Sequence, residues 1–502
     1  MTLPFNALTA LNRFGLGARF DLSPSLRKDI EADPRAFLKS ELLPQNALLA
    51  GPDLASSRIN LLTSFAEQER KRMERDKSQT AITSANTSTV PPQMAMAGPM
   101  QGQAPMQSQA PMQSQAPMQS MGQNPAPSEP KNRPIQREVL LTEAQARWQK
   151  AFDDPSGFTE RLVWFWSNHF AVSTAKGQQI VVSAGSYERE AIRPFVLGRF
   201  GDMLKAVEQH PAMLFFLDNR NSIGPDSKAG QKQNKGLNEN LAREILELHT
   251  LGVGGGYSQA DVTNFARIIT GWTWYPNNPN FEPASFVFNP NAHEPGQPKV
   301  LTKTYTQQGI DQGEAVLNDL VHNPATAKHL ATKFVRHFVA DEPPPTLVAK
   351  LAKVFTDTGG DLMAFTKALI DDDSAWAAPA TKLRTPQEFL LASARAFNLP
   401  VDKPEVAMRA LNDLGQPLWR PSGPNGFGDL VQDWGSAEGM KMRFAYAVAM
   451  ANQAAVQGNP NEIAEIVLTN AASPETRQAI SRAESRVQGL SLLLMSPEFQ
   501  RR

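Results

Sequence analysis

The sequence predicts a mainly α protein: a large single helical domain with long irregular loops and at most a small β-hairpin, interrupted by a disordered insertion. Three observations predict it. Apolar residues recur at three- and four-residue spacing along most of the 502 residues, the period of a helix with one buried face. Helix-start chemistry recurs as well: Asp33-Pro34, His210-Pro211 and Thr385-Pro386 each put a cap before a proline at the first helical position. Strand-like alternation is confined to residues 284–288.

Taken in order, residues 1–77 read as an N-terminal helical part of the core. Residues 78–134 read as a disordered insertion, because residues 78–128 contain no charged side chain and the hexapeptide Ala-Pro-Met-Gln-Ser-Gln repeats from Ala104. Such a composition cannot bury enough apolar surface to offset chain entropy. Its Met94, Met96, Met100, Met106, Met112, Met118 and Met121 have the softness of copper(I) ligands, although a tolerated low-complexity insertion accounts for them more simply. Residues 135–395 form the expected central helical core, and residues 396–502 a C-terminal helical part. Within the core, residues 158–170 are apolar nearly all round, which marks a central helix and turns His169 inward with Leu162, Phe165 and Trp166. His329, Lys333, Arg336 and His337 share a later helix and read as a packed or solvated face. Residues 414–434 form a proline- and glycine-rich loop whose Trp419, Phe427 and Trp434 either line a groove or plug the core.

Charge and cysteine content exclude several functions. Fifty basic and fifty acidic side chains cancel and no basic stripe stands out, which argues against nucleic-acid binding. The absence of cysteine removes disulfides, thiolate metal sites and cysteine nucleophiles and favours an oxidising compartment. No apolar run has the length of a transmembrane helix, and the N-terminal residues lack the basic start and apolar stretch of a secretory signal.

Polar chemistry is densest at residues 238–272. Helical spacing puts Asn240, Arg243, Glu244 and Glu247 on one strip, with Arg243 and Glu247 as i,i+4 partners; Asn238 precedes the strip. Gly252 ends this helix, and Ser258 with Asp261 makes a capping box for the next, which carries the chain to Trp272. The glycines at 252, 254, 255 and 256 do not make a dinucleotide fingerprint, since Tyr257 occupies the third glycine position and the run follows a helix. Asp218 and Asn219 end a preceding helix and are expected to approach the strip, while His293 lies in a loop that can fold back over it.

These segments, notably FWSNHF, HPAMLFFLDN, NENLAREILELHTLGVGGGYSQADV, ITGW, LGQPLWRPSGPNGF and LLLMSPEFQ, resemble the bacterial family of domain of unknown function 1800 over nearly the whole chain outside the insertion. The resemblance maps the family pattern onto His169, Asp218, Asn219, Asn238, Asn240, Arg243, Glu244, Glu247, Asp261, Trp272 and His293. Two positions depart from it: Glu294 stands where the family usually has aspartate, and His249 where many members have phenylalanine. Family members are often encoded beside an exported protein resembling alkaline phosphatases and sulfatases. The resemblance therefore implies a binding or partner protein acting with such a protein, exported to the periplasm with it, the alternative being a cytoplasmic protein. The other function is a metal-assisted hydrolase in which His169, Glu244 and His293 converge, with a divalent metal activating water. In the binding reading, Asp218, Asn219, Asn238, Asn240, Arg243, Glu247, Asp261 and Trp272 form a polar network.

Overall fold

The computed structural model describes residues 5–86, 133–233, 236–400, 402–454, 456 and 458–502. Helices dominate them, and the strands among them form two antiparallel pairs. β1 (Trp272–Trp274) pairs with β2 (Phe286–Phe288), Thr273 opposite Val287. This is the hairpin that the alternation at 284–288 predicts. The second pair, β3 (Lys299–Val300) with β4 (Lys303–Thr304), is too short for any alternation to announce it. No helix among the described residues is long and apolar enough to cross a membrane.

Contacts divide the chain into two compact units, Met1–Ser64 with Ile135–Arg502, and Phe65–Pro134. The helix Ser57–Asn86 continues beyond Ser78, where composition places the start of the insertion. Its charged middle explains the persistence: Glu67 with Lys71 and Arg72 with Asp76 are paired one turn apart, which supports a helix in water. The rest of the predicted insertion, including its seven methionines, lies outside the described residues.

The predicted caps are present. Asp33 accepts from the amides of Arg35 and Ala36, His210 from Ala212, and Ser258–Asp261 and Thr385–Glu388 each close a reciprocal capping box. Each satisfies amides that a helix start leaves without partners.

Phe158–His169 is the central helix, with nearly every side chain buried. Aromatic side chains from four directions pack on it: Phe14 on Phe158 at 5.9 Å, Phe334 on Phe165 at 5.2 Å, Phe200 on Trp166 at 5.7 Å and Trp148 on Trp164 at 6.4 Å between ring centroids. Burying side chains of this size stabilises by about 1.5–3 kcal/mol each. The helix Pro324–Phe338 supplies Phe334 and Phe338 and brings its histidines and Lys333 to the same place.

Candidate functional site

The polar strip is divided between two helical geometries. Asn240–Glu244 is α-helical, but Ile245–His249 is a π-turn, in which hydrogen bonds reach the fifth residue and rotate later side chains off the α spacing. Arg243 accordingly pairs with Glu239 at 3.1 Å and with Gln259 at 3.0 Å instead of with Glu247, and its side chain is 37% exposed. The expected Arg243–Glu247 pair is thus corrected. Glu247 instead accepts from the Tyr257 hydroxyl. Asn240 is exposed, and its amide is capped by Asn238.

The other predicted residues are dispersed. Asp218, in the left-handed region at φ 59°, pairs with Lys176. Asn219 donates to the carbonyls of Ile269 and Trp272, so it anchors the entry to β1. Asp261 is occupied by its capping box and by the Leu301 amide, and Trp272 is fully buried. His293 donates from Nδ1 to the Thr270 carbonyl and packs on Phe288. It has no hydrogen bond, ion pair or ring contact with His169 or Glu244 among the described residues. Glu244 is half-buried without a hydrogen-bond partner among them; burial pushes its carboxyl above the usual range, against the pull of His249. No group of three or more His, Asp or Glu among the described residues could hold a metal ion.

His169 belongs to a cluster that the sequence does not announce. Its Nε2 faces the carbonyl of His249 at 3.2 Å, and because a carbonyl only accepts, Nε2 carries the proton. Nδ1 is then a lone pair, and Lys333 Nζ donates to it at 3.0 Å. The rings of His249 and His329 lie 6.1 and 6.3 Å from that of His169. Burial, followed by Lys333 and the neighbouring imidazoles, holds His169 well below the ordinary histidine range. Burial also lowers Lys333 to about 8, a shift that Asp429 opposes. Gly252 allows this contact: at φ +83° its missing Cβ would stand 2.6 Å from His329 Nδ1.

This cluster opens into a cavity of about 240 Å³ lined by His169, Lys333, Arg336, His337 and Asp429. A second cavity of about 80 Å³ shares Asn168, His337, Phe427, Gly428 and Asp429 in its walls and adds Arg147, Trp164, Glu188, Gln387, Glu388 and Trp419. The loop at 414–434 forms one side of both. Asn168 fixes it by accepting from the Phe427 amide at 2.8 Å and donating to the Phe427 carbonyl at 2.9 Å. Gly426 is required there, since at φ +74° a Cβ would lie 2.4 Å from the Asn168 carbonyl oxygen. Ser173 and Thr174 hold the same loop through the carbonyls of Pro421 and Trp419. These bonds tie the loop down, and it presents Phe427 to both cavities and Trp419 to the smaller one.

The carboxylates in these walls have partners. Glu188 accepts from Arg147, Arg193 and Ser167, and Arg193 also binds Glu160 through two nitrogens. Glu388 is held by Arg502 at 2.9 Å and Arg161 at 3.2 Å. Asp429 faces His337 Nδ1 at 3.2 Å. Several donors are not saturated: Arg147 Nη1, Trp164 Nε1 and Gln387 Nε2 are buried with no partner among the described residues. Arg147 lies between two indoles, 4.9 Å from Trp164 and 5.7 Å from Trp419, which fixes the plane of its guanidinium.

Sequence reasoning missed Arg147, Glu188, Lys333, His337, Gln387, Glu388 and Asp429 as site residues. One signal was present: His329, Lys333 and His337 are four apart on one helix and share a stripe. No local pattern announces the others, because their partners lie far away in sequence.

No curated protein and no solved structure matches the chain. The sequence model described as protein of unknown function DUF1800 matches residues 9–501, and the chain belongs to that family.

Proposed function

We propose that the chain is a binding protein whose cleft takes a small ligand with acceptor oxygens, a carboxylate or a phosphate- or sulfate-like oxyanion. One observation carries this: three residues of one cavity wall carry buried donors, Arg147 Nη1, Trp164 Nε1 and Gln387 Nε2, that have no acceptor among the described residues. Native interiors rarely leave such groups unpaired, since each costs about 1–3 kcal/mol. Glu188 and Glu388 cannot serve them, being already engaged by arginines. An acceptor-rich ligand would satisfy all three donors.

Thermal denaturation with sodium phosphate, sulfate or citrate, against chloride at equal ionic strength, tests the reading. A saturable rise is expected, equivalent to about 2.7 kcal/mol at a hundred times the dissociation constant. Trp164→Phe, which removes one donor and keeps the ring, should weaken it. Equal melting in all salts would mean that water alone fills the cavity, and the reading would be abandoned.

The finer reading is that this binding serves an exported partner resembling alkaline phosphatases and sulfatases. Its support is the family resemblance and the cysteine-free sequence. Co-expression with such a partner followed by cell fractionation should place the chain beside it outside the cytoplasm; recovery of the chain only from the cytoplasm would count against it. The metal-assisted hydrolase has less support, because the ligands it needs are dispersed between the His169 cluster and the Thr270–His293 contact.

A further inference from the structure

We propose that Lys333 is a reactive amine that forms an imine with a small 2-oxo acid in the larger cavity. This goes beyond ligand binding at Arg147 and uses different residues. The geometry supplies each part. Lys333 Nζ has no carboxylate within ion-pair distance among the described residues; its one hydrogen bond is to the lone pair of His169 Nδ1 at 3.0 Å. That nitrogen accepts the hydrogen bond because the other ring nitrogen is tied to the His249 carbonyl. Both side chains line a cavity of about 240 Å³, which is room for a few heavy atoms. Arg336, also in that wall, makes no ion pair among the described residues and donates from Nε only to the Asp341 carbonyl. An uncompensated guanidinium one turn from a reactive amine suits a carboxylate beside a carbonyl.

The step balances without a further reagent. The free amine of Lys333 bonds through its nitrogen to the carbonyl carbon as the carbonyl π bond breaks, and one N–H proton passes to the oxygen. The resulting hydroxyl takes a second proton, from solvent, and leaves as water, giving a protonated imine. Lysines act in this way where their surroundings keep the amine deprotonated. The titratable groups around Lys333 are His169, His329, Arg336 and Asp429, with His337 and Asp433 in the same cavity wall. Burial and Arg336 disfavour its ammonium, Asp429 favours it, and the balance leaves it at about 8.

The test is glyoxylate with sodium cyanoborohydride, which reduces an imine to a stable secondary amine, followed by peptide mass mapping of the wild-type protein. At pH 8, Lys333 should be modified at least about tenfold faster than exposed lysines, whose ordinary range lies near 10.4. Lys353 and Lys441, each 75% exposed, are the internal references. Labelling of Lys333 should rise through pH 8 while theirs stays low. Acetaldehyde, which lacks the carboxylate, should label Lys333 more slowly than glyoxylate, and Arg336→Gln should remove that preference. Labelling of Lys333 no faster than Lys353 would overturn the proposal. Equal rates with the two probes in the wild type would overturn its assignment to an oxo acid.

Discussion

Glu388→Gln is expected to destabilise the protein by about 3–5 kcal/mol, the cost of removing one member of a buried ion pair and leaving its partners charged. Here two guanidinium groups would be stranded, since Arg502 and Arg161 both bind this carboxylate and all three side chains are almost completely buried. Urea denaturation would measure the loss; a variant within about 1 kcal/mol of wild type would show that solvent reaches these charges. The same network predicts sensitivity to acid. Burial pushes the Glu388 carboxyl up, but Arg502, Arg161 and His337 outweigh it and hold it well below the usual range. Asp429 is held at about 2, where His337, Lys382 and Arg502 outweigh burial. A carboxyl depressed in the folded state contributes stability above its unfolded value, about 3.9–4.3, and that contribution is lost as pH falls towards the folded value. Stability should therefore fall steeply between about pH 4 and pH 2, and the Glu388→Gln variant should show a shallower fall there.

His249→Phe is expected to cost about 3 kcal/mol, because it strands a buried carboxylate. His249 Nδ1 donates to Glu208 Oε1 at 2.7 Å, both side chains are fully buried, and Glu208 Oε2 has no partner among the described residues. Phenylalanine preserves the aromatic packing, in which the ring stands 5.1 Å from Phe170, so the experiment isolates the polar pair. Adding Glu208→Leu to His249→Phe should recover most of the loss, since a pair replaced by apolar groups no longer holds an unsatisfied acceptor. The readout is a double-mutant cycle by urea denaturation. Additive losses would mean that Glu208 does not depend on His249.

Local chemistry was legible wherever cause and effect lie within one turn. The Ser258–Asp261 and Thr385–Glu388 boxes, the burial of the Phe158–His169 helix and the β1–β2 pairing all rest on neighbours a few positions apart or on simple periodicity. The Arg243 partner was misread for a local reason too: the π-turn at Ile245–His249 breaks the constant spacing that an i,i+4 argument assumes.

The sequence by itself determined that this is a mainly helical chain with a buried aromatic centre and an inward His169, because apolar spacing and cap residues act through short range. Only the tertiary structure decided which charges meet. Arg147 reaches Glu188 across 41 positions, Arg502 reaches Glu388 across 114 and Lys333 reaches His169 across 164. The physical reason is that a buried charge needs a compensating partner but does not specify where in the chain that partner comes from. Helix packing brings the partners together, and it leaves Arg147, Trp164 and Gln387 with donors that no described residue satisfies.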